Sequence, residues 1–206
     1  MHARGKRQRG FSLIELLTVM LVITILAAWA VLGTGSFSTA SKANAAMGMV
    51  VTQLRQARQI AITSRRNVLV TVTPPNKIQL AIETLPGEAA AAPLPPMYLN
   101  DNATDGMQFT TFSLPDTPMG FGNAQAINFT SSTGAAGGLF VLFTASGCFV
   151  GTTAASNFSA VGNSNLVNAS IFIGKPGDVR TARAVTVLGG TGRVRSFWWD
   201  GVQWDE

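Results

Sequence analysis

Gly10-Phe11-Ser12-Leu13-Ile14-Glu15 joins a basic leader, in which Arg4, Lys6, Arg7 and Arg9 carry four positive charges, to a run of apolar sequence that ends at Leu32. From Phe11 to Leu32 the chain has the roughly 20 residues that a helix needs to cross a bilayer. Glu15 is the only ionisable side chain in that run. A carboxylate among lipid tails is strongly disfavoured without a partner, so a plain anchor would not carry one. Two readings stay open at this point: the acid lies shallow enough to reach the headgroups, or it meets a cation inside the membrane.

A basic start followed by apolar residues also describes a secretory signal peptide. The span here is too long for that, and the small residues are misplaced, since Gly10 precedes it and Ala27-Ala28 lie within it. Cleavage at Gly10 leaves the helix on the mature chain. No Lys or Arg follows the leader until Lys42, so the positive-inside rule predicts a cytoplasmic N-terminus and an external head.

The sequence from Gly10 to Glu15, with its apolar continuation, resembles the cleavage and methylation site of type IV prepilins and type II secretion pseudopilins. The resemblance implies cleavage after Gly10 by a membrane prepilin peptidase, N-methylation of the new terminal Phe11, and burial of the helix in a filament core. It also implies that Glu15 pairs with the Phe11 amine of a neighbouring subunit, which would meet a desolvated carboxylate's need for a close, hydrogen-bonded cation.

Loss of the leader changes the meaning of the charge. The whole chain has 15 basic and 10 acidic side chains; without the leader's four, 11 face 10, a balance of +1. The basic character is therefore mainly a topology signal and weak evidence for a nucleic-acid partner, local clusters aside. Cys148 is the only cysteine, which excludes an internal disulfide. Many major pilins close a C-terminal disulfide loop, so its absence points to a minor component. Cys148 itself, in Gly147-Cys148-Phe149-Val150, reads as a small buried side chain.

About 140 residues follow the helix, enough for one core. Gly33 and Gly35 predict a kink or soft segment but no stop. Met47, Val50, Leu54, Ala57 and Ala61 recur at steps of three and four, an apolar helical stripe that should pack on a head. Arg55, Arg58, Arg65 and Arg66 lie largely off it and read as a solvated face, the last two also suiting a helix C-terminus. Val68–Thr73 and Lys77–Ile82 predict a hairpin whose Pro74-Pro75-Asn76 break needs more than a two-residue turn. Further strands are predicted from Met107 to Phe112, Ala126 to Thr130, Leu139 to Thr144, Ala169 to Ile173, Ala184 to Leu188 and Arg193 to Trp198. The stretch from Leu85 to Pro96 offers nothing for a core and reads as a surface excursion.

Leu54 to Ile62 ending in Arg66-Asn67-Val68, the turn Phe143-Thr144-Ala145-Ser146-Gly147, and Arg183 to Val187 followed by Gly192-Arg193-Val194-Arg195 resemble the GspH/FimT group of minor pseudopilins and pilins. The segment Leu85 to Asp105 and the Trp-rich tail have no clear counterpart there.

Catalysis finds little support. The one histidine, His2, is in the leader, so the mature head has neither a histidine base nor a histidine metal site. Asp101 and Asp105, in an Asn/Gly-rich loop, are a weak candidate for calcium, because a hard-cation site needs several oxygen ligands. Gly189-Gly190-Thr191-Gly192 lacks the P-loop lysine and reads as a turn. A nucleic-acid reading has more behind it. Arg193 and Arg195 alternate along a strand, share one face, and precede Phe197, Trp198 and Trp199, combining phosphate-binding cations with stacking surfaces. Some FimT-like pilins take up DNA through an arginine-bearing C-terminal element, so the resemblance carries this role to Arg193 and Arg195, with Arg180 and Arg183 as further candidates. Asp200, Asp205 and Glu206 oppose it in the same tail, and Trp residues covering a core beside solvated arginines are the alternative.

The sequence thus predicts an α+β, pilin-like chain: leader 1–10, transmembrane helix 11–32, an extension 33–66 with an amphipathic half, and a mainly antiparallel β head 67–206. It predicts no enzyme, cofactor or metal. The function expected is that of a minor pseudopilin near the tip of a type II secretion pseudopilus, in a bacterial inner membrane with its head in the periplasm, and the alternative is a DNA-binding minor pilin. Its partners are other pilins or pseudopilins, the prepilin peptidase, the membrane and, in the alternative, DNA.

Overall fold

The computed structural model describes residues 12–84, 93–99, 104, 106–114, 117–121, 125–131, 140–152 and 166–206, with the backbone alone at 29–38, 128–131, 140 and 152. The chain divides into two compact units, Met1–Thr39 and Ala40–Glu206. One helix, α1, runs over Leu13–Ser64 without a stop at the glycines. It begins where the Ser12 carbonyl accepts hydrogen bonds from the Glu15 and Leu16 N–H groups, at 3.0 and 3.2 Å. It ends in a Schellman turn, with Arg65 left-handed at φ 54° and the Arg66 N–H donating to the Ala61 carbonyl at 3.3 Å. Arg65 and Arg66 thus lie just past the last turn.

In the second unit the helix buries Ala43, Ala46, Val50, Leu54, Ala57 and Ala61 completely. The predicted stripe is right from Val50 onward, but at its start Ala46 takes the place given to Met47, which is half-buried. Four of these six residues are alanine, so the backbone of the helix comes close to what covers it.

Two antiparallel sheets do the covering. The first contains β1 (Val68–Thr73), β2 (Lys77–Ile82), β3 (Met97–Tyr98), β6 (Phe140–Phe143) and β7 (Phe149–Thr152), in the order β3-β2-β1-β6-β7. Thr73 pairs with Lys77, so the hairpin loop holds three residues, as its prolines require. The second contains β4 (Gln108–Phe109), β8 (Val167–Gly174), β9 (Arg183–Leu188), β10 (Arg193–Trp199) and β11 (Trp204–Asp205), in the order β11-β10-β9-β8-β4, with β5 (Ile127–Ser131) also on β8. The main core joins the helix stripe to Val68, Val70, Ile78, Leu80, Phe143 and Phe149 of the first sheet and to Ile171, Ile173, Val185, Val187 and Val194 of the second.

Three expectations need correction. The strand from Met107 to Phe112 is reduced to Gln108–Phe109, because Phe112 leaves the ladder to pack on the opposite face of the second sheet. Leu94, in the stretch expected to contribute nothing, packs partly buried against the main core and donates its N–H to the Leu80 carbonyl at 2.9 Å; residues 85–92 lie outside the described residues. Cys148 is half-buried, not buried, and its thiol donates to the Gly190 carbonyl at 3.3 Å.

The Trp-rich tail has a clear structural role. Phe172, Ala184 and Phe197 form a smaller cluster on the far face of the second sheet, covered by Phe112 and Trp204. Trp204 reaches it by turning back at Asp200, whose carboxylate accepts N–H groups of Val202 at 2.6 Å and Gln203 at 2.7 Å. The Trp204 ring then lies 5.7 Å from Phe172 and 5.5 Å from Trp199, within the range of favourable edge and tilted aromatic pairs.

Candidate functional site

Gly10 and Phe11 lie outside the described residues. Glu15 stands in the first turn of α1, where a carboxylate complements the unpaired N–H groups of a helix start. The helix surface around it is aliphatic and open, with Leu13 82% and Leu26 64% exposed. Among the described residues no helix is long and apolar enough to cross a membrane; the described side chains of this run end at Ala28.

The four arginines singled out in the sequence fall in different places. Arg183 pairs with Trp198 in the β9–β10 ladder and Arg193 with Leu188, so the two lie at opposite ends of the hairpin, roughly 17 Å apart along the strand at 3.4 Å per residue. Arg183 is only 6% exposed. Its Nε donates to Asn44 Oδ1 at 2.7 Å and its Nη1 to the Ala182 and Arg180 carbonyls at 2.9 and 3.3 Å, tying β9 to α1. Burial pushes its pKa below the ordinary arginine value. Arg180 is exposed in a short 3-10 turn, Val179–Thr181, at that same end. Arg195 is half-buried, its Nε 3.1 Å from Glu206 Oε1. This is an ion pair without the alignment of a hydrogen bond. On the face with Phe197 and Trp199, then, the aromatic rings cover the smaller core and one arginine is held by the tail.

Arg193 stands apart from these. It is exposed and begins β10 directly after the glycine-rich turn, which forms as expected between the strands β9 and β10. Together with Arg55 and Arg58 of α1 it lines an open groove of about 570 Å³. The helical stripe predicts a solvated face for the helix arginines, and for Arg55 that is where it lies. Arg58 is half-buried, with Nε donating to the Gly147 carbonyl at 3.2 Å. Their three-residue spacing, which sets Cβ atoms about 5–6 Å apart on a helix, was the available signal; nothing in the sequence indicated that the β9–β10 turn would come beside them.

The turn is held there closely. Gly192 is left-handed at φ +61°, and a Cβ on it would stand 2.0 Å from the Gly147 carbonyl oxygen and 2.9 Å from Arg58 Nε. Only glycine fits. On the far side of the tail, the Asp200 carboxylate is held below its usual range by the N–H groups of Gln203 and then Val202. Among the described residues no group of three His, Cys, Asp or Glu is placed to hold a metal ion.

Comparison with known proteins bears on the N-terminus. Residues 5–31 match the family described as the prokaryotic N-terminal methylation motif. The chain therefore carries a prepilin-type methylation motif across its leader and the start of α1. A search of curated proteins gave no match. Among solved structures, two crystal forms of the type IV minor pilin FimU of Pseudomonas aeruginosa are similar. One is 15% identical with a TM-score of 0.38, covering 74% of this chain and 90% of FimU. The other is 14% identical with a TM-score of 0.39, covering 79% and 92%.

Proposed function

We propose that this chain is a membrane-anchored, non-enzymatic subunit of a pilin-like filament, cleaved after Gly10, methylated at Phe11 and added to the filament through its N-terminal helix. The observation that carries this is Glu15, the lone ionisable group on an otherwise uncharged and mainly aliphatic stretch of helix, placed within a prepilin-type motif. The backbone is helical from Leu13 through Leu32, and 20 residues at 1.5 Å each make about 30 Å, the thickness of the hydrocarbon core. The Glu15 carboxylate would pair with the methylated amine of a neighbour, so that insertion of each subunit neutralises a buried charge. The head would present contact surfaces to other subunits on the external, periplasmic side.

Within that class the reading is a minor pseudopilin near the tip of a type II secretion pseudopilus, which the GspH/FimT-like sequence motifs and the absence of a second cysteine support. The direct experiment is deletion of the gene and complementation with wild-type or Gly10→Val protein. The account expects secreted proteins to accumulate in the periplasm without it, and Gly10→Val to persist as an unassembled precursor. Normal secretion in the deletion strain rules this assignment out.

A second reading, capture of DNA by a minor pilin, is favoured by one observation: Arg193 is exposed and stands beside two more arginines. Loss of transformation, with secretion intact, would decide for it.

A further inference from the structure

We propose that the groove between the C-terminal part of α1 and the β9–β10 turn binds the phosphodiester backbone of nucleic acid, with Arg55, Arg58 and Arg193 as the phosphate-contacting residues. This rests on the second reading above and moves its centre away from the C-terminal strand. Arg193 comes from that strand, but the other two cations come from the helix, and Arg195, Arg180 and Arg183 do not line the groove.

Three features argue for a phosphate site over a merely solvated surface. The first is charge: three arginines line the groove and no carboxylate does, among the described residues. By contrast, Arg195 already has Glu206 at 3.1 Å, and Arg183 has its Nε and Nη1 donors engaged inside the head. Arg55 and the Arg193 guanidinium have no hydrogen-bonding or ion-pair partner among the described residues.

The second is preorganisation. Arg58 has five N–H donors and commits Nε to the Gly147 carbonyl, which fixes the side chain while leaving the outer nitrogens for a ligand. The Gly192 contact presses the turn against the same carbonyl and the same arginine. Both walls are therefore set before a ligand arrives, and fixing them in advance lowers the entropic penalty of binding. The third is what the groove lacks. No aromatic ring lines it, and Phe197, Trp199 and Trp204 are occupied in or around the smaller core. A site of cations without stacking surfaces contacts phosphates and does not read bases.

Binding should therefore be salt-sensitive and indifferent to sequence. For three phosphate contacts the slope of log K against log salt is about −2.7, so affinity falls about 40-fold between 50 and 200 mM salt. The test is fluorescence anisotropy of a labelled DNA duplex with the full chain in nonionic detergent, across that salt range. Arg55→Ala and Arg193→Ala should each reduce the slope by about 0.9, leaving a fall of about 12-fold. Arg55→Lys, which keeps the charge, should restore most of it. Arg180→Ala and Arg195→Ala should behave as wild type, and duplexes of unrelated sequence should bind alike. Arg55 is exposed, so its variants leave folding intact and isolate the charge. Salt-sensitive binding that survives Arg55→Ala but is lost in Arg195→Ala would overturn the groove while leaving the DNA reading standing. No binding by the wild-type chain at 50 mM salt would overturn both.

Discussion

Between Leu13 and Leu26 the helix turns large aliphatic side chains outward, with none of them buried, whereas between Ala43 and Ala61 it carries small residues on a single, fully covered stripe. The first pattern has no preferred face. A helix that is apolar all round suits a surrounding that is apolar all round, which lipid and neighbouring helices supply. The second pattern has one face and is matched by the sheets of its own head. In the proposed reading the same secondary structure serves two solvents, and the switch is written in side-chain size as much as in hydrophobicity: Leu, Ile and Val outward in the first, Ala at four of the six completely buried positions in the second.

The difference can be broken most severely at Glu15. Glu15→Ala should leave cleavage intact yet abolish incorporation into filaments, measured by recovery of the subunit with sheared filaments or by crosslinking to its neighbours. Normal incorporation would remove the carboxylate from the account and leave it as no more than a favourable helix-start charge.

A paired truncation sharpens the contrast between the two halves. Leu54→Ala, at a fully buried position, should destabilise the head by about 2–5 kcal/mol, read as a lowered denaturation midpoint of the full chain in detergent. Leu17→Ala, in the exposed half, should leave that midpoint unchanged. Equal effects would mean that the first half packs on the head as the second does.

Gly192→Ala tests how tightly the second half is joined to the β9–β10 hairpin. The left-handed backbone alone disfavours alanine by about 1–3 kcal/mol, and the new Cβ meets the Gly147 carbonyl, so the turn must move. A reduced Tm together with weaker DNA binding is expected; an unchanged Tm would show that the turn is loosely held.

The smallest effect is expected at Asp200, far from either half of the helix in sequence. Its pKa is depressed in the fold by N–H donors of Gln203 and Val202. Its contribution is therefore fully present above the unfolded carboxylate value and is lost as pH falls through the lower, folded one. Tryptophan fluorescence from the Trp199–Trp204 pair should stay constant down through the ordinary carboxylate range and change only below it. A change near neutral pH would point to another group.

Much of this could be read from the residues. The apolar run and its single acid, the stripe from Val50 to Ala61, the hairpin of β1 and β2 and the long strands of the second sheet all follow from periodicity, which is local. Two short strands escaped because two residues carry no period: Met97–Tyr98 and Trp204–Asp205 exist through their partners, and Gln108–Phe109 is all that remains of a longer predicted strand. Arg183 and Arg193 look alike locally in sequence, each a basic residue at the start of a strand. One is buried against Asn44, the other is open, and only the register of β9 on β10 and the approach of the helix separate them. The groove was illegible for the same reason, since Arg55 and Arg193 are 138 positions apart and are brought together by tertiary packing alone.

The central claim is that the chain is processed as a prepilin. Intact-mass and N-terminal analysis of the protein recovered from membranes that also contain a prepilin peptidase tests it most directly. The account predicts a mature chain that begins at N-methylated Phe11. A chain that keeps its leader under those conditions, or one cut near Ala28, inside the apolar run, as a signal peptide would be, contradicts it.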